Sequence, residues 1–445
     1  MTQCSEIDGF LRRYERFGVE LGLDRILALL ERLGNPHQRV PIVHVAGTNG
    51  KGSVCAYLSS VLTAAGYRTG RYTSPHLVDW TERITLNDKP VSPDALLGAL
   101  KRVEAAIEPG EPTPTQFEVF TAAAWCIFAE SAADVAVVEV GLGGRLDATN
   151  VCDRPLATLI TSLSREHWQR LGPTLADIAR EKAGILKPGY PAIIGPLPPE
   201  AETVVRQRIE ALGCPVVWQN PAQWIPDKFE PYPWAIADDI SYPLPLAGDI
   251  QLTNSALAIA ALKVLQQRGW TIPETAIQAG MAQTQWPGRL HWTTWEGMRL
   301  LVDGAHNPAA AKVLRQYVDT VHSGPVHWLM GMLSTKDHRD IFEALLRKGD
   351  RLTLVPVPGH STAAPQELAE LAQWVCPNLE GCDTALTLTE GLQILQRETI
   401  VSNPLNVLCG SLYLVGKFYE QQRDLQEFTQ KKTESEHGGI RTPDP

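Results

Sequence analysis

Two periodicities alternate along this 445-residue chain. Short unbroken apolar runs read as buried strands, and stretches with apolar residues three and four apart read as helices. Ile42–Ala46 is the first such run and ends in a glycine-rich loop. Residues 54–65 then read as a helix closed by Gly66. Ser92-Pro93-Asp94 opens another helix, with an N-cap, a proline in the first turn and an acid behind it. Phe117, Phe120, Ala124, Trp125 and Phe128 recur at the spacing of one buried helix face. Residues 134–140 and 156–162 are nearly all apolar, as central parallel strands covered on both faces require.

Six prolines fall between Pro221 and Pro245, with Trp224 and Trp234 among them, so irregular structure or a small subsheet is expected there. Alternation then resumes. Residues 299–303, Val326–Met330, 351–357 and Leu405–Cys409 read as strands, with helices between them such as Pro308–Val321 and 337–347. The pattern predicts an α/β protein with two parts. The first is an N-terminal P-loop-type ATPase domain with a mostly parallel sheet, over 1–290. The second is a smaller C-terminal Rossmann-like α/β domain, over 291–430, with the boundary in the stretch 287–295. Residues 431–445 are polar and lack an apolar face, which predicts a disordered tail. No internal repeat is visible.

Composition narrows the class. Apolar residues make up 44% and charged residues 20%, which excludes disorder as the main state. Forty Lys and Arg against 50 Asp and Glu give a net charge of −10, which argues against a nucleic-acid binder or a partner of anionic membranes. No apolar stretch is long enough to span a bilayer and the start carries no signal pattern. Eight thinly spread cysteines with no C-x-x-C pair suggest reduced thiols and a cytoplasmic location.

Four segments carry candidate chemistry. Gly47-Thr48-Asn49-Gly50-Lys51-Gly52-Ser53 follows a strand and opens a helix. Its glycines let backbone N–H groups approach phosphate oxygens, the helix start adds positive potential, and Lys51 adds a point charge. Glu139 stands where a buried strand ends, ahead of Val140 to Asn150. A carboxylate there is paired or bound to metal; the alternatives are Mg²⁺ and a glutamate that caps a helix or pairs with Arg145. His167, past the next strand end, is either a satisfied structural residue or a ligand facing Glu139. Lys182, in Ile178 to Ile185, reads from composition as a surface lysine pairing with an acid.

In order and separation, these motifs resemble the folylpolyglutamate synthase and dihydrofolate synthase family, a branch of the Mur ligases. The resemblance rests on G-T-N-G-K-G-S, on Ser74-Pro75-His76-Leu77 with Glu82-Arg83-Ile84, and on E-V-G-L-G-G-R-L-D-A-T-N from Glu139. It also rests on Glu181-Lys182-Ala183-Gly184-Ile185, Pro287-Gly288-Arg289 and Asp303-Gly304-Ala305-His306-Asn307-Pro308. It covers nearly the whole chain. It implies an ATP-dependent ligase that adds L-glutamate to reduced folates or dihydropteroate through an acyl phosphate, as a monomer. Residues 47–53, Asn254, Arg289, Asp303 and His306 would bind ATP. Ser74, Glu139, His167 and Lys182 would hold Mg²⁺, two ions in all, and Lys182 would be carbamylated. Lys51, Lys182 and His167 would serve catalysis. Thr115, Gln116, Phe117, Glu118, Leu146, Asp147 and Ala148 would line the pterin pocket. Where the family places Asp before the metal His, this chain has Glu166. The competing readings are another Mur-type amide ligase with a different acceptor and a nucleotide-binding regulator without catalysis.

Overall fold

The computed structural model describes residues 3–15, 20–402 and 404–437. The chain divides into two compact units between Trp286 and Pro287.

The first unit is built on an eight-stranded sheet. Its strands are β1 Ile42–Ala46, β2 Thr69–Tyr72, β3 Ile84–Leu86, β4 Lys89–Pro90, β5 Val135–Glu139, β6 Ala157–Ile160, β7 Ala192–Ile194 and β8 Val216–Trp218. Their order is β4-β3-β2-β5-β1-β6-β7-β8. The six strands from β2 to β8 run parallel, and β3 and β4 add an antiparallel edge. Every residue of β1 and β5 is buried, because helices cover both faces. On one face Val43 and Val45 meet the helices Lys51–Ala64 and Ile250–Gln267. On the other, Ile42, Ala136 and Val138 meet Phe120, Trp125 and Phe128 of the helix Gln116–Glu130. That helix and Pro93–Ala105 start as their sequences suggest. The Ser92 hydroxyl accepts from the Ala95 amide at 3.2 Å, and Thr115 and Glu118 form a reciprocal capping box. β1 and β5 lie side by side with Val45 opposite Glu139, and β6 flanks β1 with Ile160 opposite Ala46. Three loops therefore leave from one edge of the sheet, at the point where the connections diverge.

The proline-rich stretch forms a small antiparallel sheet of β9 Gln223–Trp224, β10 Trp234–Ala237 and β11 Ile240–Pro243, in the order β11-β10-β9.

The second unit has six strands: β12 His291–Trp295, β13 Met298–Val302, β14 Val326–Met330, β15 Arg351–Leu354, β16 Gly381–Thr384 and β17 Leu405–Cys409. Their order is β12-β13-β17-β14-β15-β16, parallel except for the β12–β13 hairpin. The helix Pro308–Val321 is capped by Asn307, whose side chain accepts from the Ala310 amide at 2.9 Å. The last helix runs Leu412–His437, so the stretch expected to be disordered begins inside it. Its first turns bury Leu414, Val415 and Phe418, and the Lys and Glu residues among 431–437 are good helix formers that let it continue. The rest of that stretch, residues 438–445, lies outside the described residues.

Candidate functional site

The loop after β1 is braced by the loop after β6. The Thr48 amide donates to the Ser162 carbonyl at 2.7 Å, and the Ser164 amide donates to the Thr48 hydroxyl at 3.1 Å. The hydroxyls of Thr161 and Ser162 donate to the Asn49 carbonyl at 2.7 and 3.0 Å. Gly50, at φ 88°, ends the loop in the left-handed region, and the helix starts at Lys51 rather than at residue 54. A Cβ on Gly50 would run into the Asn254 side chain, and one on Gly52 would overlap the Trp286 indole. The loop is thus held open at a helix start, with Asn254 beside it. Asn254 in turn donates to Gln251 at 3.1 Å.

Two lysines converge on this loop. Lys51 Nζ donates to the carbonyls of Gly47 and Thr48 at 3.0 and 3.1 Å. Lys182 Nζ donates to the same Gly47 carbonyl at 2.8 Å. Lys182 is only 5% exposed, so the surface-lysine reading of its segment does not hold. Desolvation by burial and then the Lys51 charge lower it from 10.5 to about 7, while Glu166, Asp147 and Glu139 oppose that shift. Glu139 Oε1 lies 3.9 Å from Lys51 Nζ, and Glu139 Oε2 accepts the Ser74 amide at 3.2 Å. Arg145 pairs instead with Glu181, at 2.9 Å. Strand β5 therefore delivers a buried carboxylate to the mouth of the phosphate-type loop, next to Ser74 at the end of β2.

His167 stands at φ 51°, with its side chain half exposed, 3.9 Å from Glu166. Glu166 is nearly buried and acts on Lys182, a link that sequence spacing alone did not reveal. Among the described residues no three His, Cys, Asp or Glu side chains are grouped to hold a metal ion. An all-protein cage is therefore not what Ser74, Glu139, His167 and Lys182 build. Mg²⁺ takes one or two protein carboxylates and fills its octahedron with water and phosphate oxygens, and a single carboxylate beside a phosphate loop fits that habit. An ammonium has three donors and no acceptor, so Lys182 could join such a set only as its neutral or carbamylated form.

The expected acceptor residues are ordered by their own backbone. Glu118 Oε2 accepts the Thr115 amide and hydroxyl at 2.7 and 2.9 Å, and both Glu118 oxygens pair with Arg25. Gln116 and Phe117 are half-buried beside it, and the Phe117 ring packs where a Cβ of Gly141 would be. Asp147, 2% exposed, accepts the Leu142 and Thr149 amides at 2.8 and 3.0 Å and closes the loop that carries Leu146 and Ala148. In the second unit Asp303 accepts the amides of Leu290 and Ala305 at 2.8 and 2.7 Å. Burial raises its pKa, with Arg289 opposing, and His306 Nδ1 lies 2.7 Å from the Gly304 carbonyl.

A parallel sheet with a cationic phosphate loop, a strand-end carboxylate and a second α/β unit defines a nucleotide-dependent enzyme of the two-domain ligase class. Comparison with known proteins names the branch. Residues 289–421 match the dihydrofolate synthetase C-terminal domain. The dihydrofolate synthetase of Saccharomyces cerevisiae is 34% identical over 422 residues, covering 90% of this chain and 97% of that one. The dihydrofolate synthase/folylpolyglutamate synthase of Escherichia coli is 35% identical over 357 residues, 79% and 81% of the two chains. The solved structure of Escherichia coli FolC in complex with DHPP and ADP superposes with a TM-score of 0.81 at 30% identity, covering 96% of this chain and 99% of that one. The chain belongs to the dihydrofolate synthetase/folylpolyglutamate synthase family, whose members are ATP-dependent ligases. No helix among the described residues is long and apolar enough to cross a membrane.

Proposed function

We propose that this chain uses ATP to join L-glutamate to a free carboxylate of a pterin-bearing acceptor: the pteroyl carboxylate of dihydropteroate, or a carboxylate on the glutamate tail of a reduced folate. The observation that carries the reading is the convergence of Lys51 and Lys182 on the Gly47 carbonyl, with Glu139 at 3.9 Å from Lys51. Backbone N–H groups at a helix start, with the Lys51 ammonium beside them, call for an anion at this loop, and a polyphosphate supplies it.

The reaction follows from activation of a poor electrophile. A carboxylate oxygen of the acceptor attacks the γ-phosphorus of ATP, the bond to the bridging oxygen breaks, and ADP leaves. The glutamate amine then attacks the acyl carbon, phosphate departs, and the nitrogen loses a proton as the amide forms. Positioning and charge neutralisation account for most of the catalysis of phosphoryl transfer. Residues 47–53 cradle the phosphates through backbone amides, Lys51 counters their charge, and Asn254 sits beside the loop. Ser74, Glu139, His167 and Lys182 would hold Mg²⁺, two ions by family resemblance, which when bound neutralises phosphate charge. By family resemblance Arg289, Asp303 and His306 would bind the nucleotide. Residues 115–118 and 146–148 are assigned to the pterin. The seven cysteines with described side chains are all free, which supports a reducing, cytoplasmic setting. A monomer is expected, and sedimentation would check it.

The test is phosphate release that requires glutamate, with dihydropteroate and tetrahydrofolate compared as acceptors. Lys51→Ala should fold normally, by circular dichroism, and lose at least about a hundredfold in rate. Release that is independent of glutamate, or a fully active Lys51→Ala, would sink the reading.

A further inference from the structure

His44 sits in the middle of β1, in the run Ile42-Val43-His44-Val45-Ala46, and is 1% exposed. A polar ring in the core of a parallel sheet is costly unless it is hydrogen-bonded. Its Nε2 lies 2.9 Å from the Thr149 hydroxyl, 105 residues away in sequence. The Thr149 hydroxyl donates its one proton to Asp147 Oδ1. It can therefore only accept from the ring, which fixes His44 as the Nε2–H tautomer. The chain His44, Thr149, Asp147 thus runs from the sheet core into the loop 141–150, where Asp147 also takes the Leu142 and Thr149 amides.

The far side of that loop is fastened to the segment bearing Lys182. The Arg145 amide donates to the Glu181 carbonyl at 2.8 Å, and Asn150 Nδ2 donates to the Gly184 carbonyl at 3.2 Å. At Gly144 the fit is so close that a Cβ would lie 2.8 Å from the Glu181 carbonyl oxygen and 3.1 Å from that of Lys182. A loop held on one side by His44 and on the other by residues 181–184 has little freedom to shift.

We propose that His44 is a positioning residue for the acceptor site: through Thr149 it holds Asp147, and with it the loop carrying Leu146 and Ala148. This rests on the functional reading above, in which that loop meets the pteroyl acceptor. His44 touches no reacting atom. Its effect is on where the acceptor binds, while the phosphate loop has its own brace in Thr161, Ser162 and Ser164 of the loop after β6.

The test varies dihydropteroate and ATP separately in the glutamate-dependent assay. Wild-type enzyme comes first; if it shows no such activity, the functional reading and this inference both fall. With wild type active, His44→Leu and Thr149→Val should each raise the acceptor KM about tenfold and leave the ATP KM within about twofold. His44→Gln, whose amide nitrogen can donate from near the position of Nε2, should stay within about threefold of wild type. The double variant should be no worse than either single one, because both cut the same chain. Should His44→Leu fail to fold, the nearly isosteric Thr149→Val carries the test. An unchanged acceptor KM in a folded Thr149→Val, or acceptor and ATP KM rising together, overturns the proposal while the functional reading stands.

Discussion

Lys51 and Lys182 share one acceptor: both ammonium nitrogens lie within 3.0 Å of the Gly47 carbonyl oxygen. Burial and the Lys51 charge make the ammonium form of Lys182 costly, and the nearby carboxylates of Glu166, Asp147 and Glu139 offset only part of that cost. The neutral amine is thereby made accessible near pH 7, and it is the form that can be carbamylated.

A first prediction concerns pH and stability. Folded, Lys182 binds its proton only below about 7, whereas the unfolded chain holds it up to the ordinary 10.5. Between those values the unfolded state binds more protons, so this group's contribution to stability rises with pH. Below about 7 the full cost of burying the ammonium is felt. Lys182→Met should therefore raise the melting temperature most near about pH 6, with the gain shrinking toward about pH 9.5. Calorimetry without nucleotide or metal measures it. A gain that is the same at every pH would show that Lys182 does not titrate in this window. The variant should also lose ligation.

Glu139→Gln keeps the shape of the side chain and can still accept the Ser74 amide, but it removes the charge. The magnesium concentration giving half-maximal ligation should rise at least about tenfold while the fold is unchanged. An unaltered magnesium titration would make Glu139 a purely structural strand end.

Gly52 is in close contact with Trp286, whose indole also has the Arg71 guanidinium 5.4 Å from its ring centre. Because an added methyl would overlap the ring, either the indole or the helix start must move, and Gly52→Ala should weaken ADP binding about tenfold or more. Replacing Trp286 by Leu in that background should recover part of the loss, by isothermal titration. If Gly52→Ala binds ADP normally, the packing is looser than the geometry implies.

Glu118→Gln tests the capping box. It weakens the bonds to Thr115 and breaks the ion pair with Arg25, at 3.1 Å, in a side chain that is 3% exposed. A loss of about 2 kcal/mol is expected, read by urea unfolding. A variant as stable as wild type, with weakened acceptor binding, would leave the acceptor site as the only place where this carboxylate acts.

Much of this protein was legible because the relevant physics is local. Strand, glycine loop and helix succeed one another within 42–64, and backbone amides at a helix start make an anion site wherever that succession occurs. The apolar runs at β1 and β5 announced a covered parallel sheet, and Ser92 and Thr115 announced their helices. What stayed hidden depends on groups far apart in sequence. Lys182 reads as a surface lysine among Arg180 and Glu181, yet it meets Gly47 across 135 residues and is buried there. His44 reads as one polar residue in an apolar strand until the fold places Thr149 against it. The helix of residues 412–437 runs into the first seven residues of the stretch 431–445, whose polarity suggested disorder. Desolvation, the term that shifts Lys182 and raises the stakes at His44, is created only when distant segments pack together, so no spacing along the chain could report it.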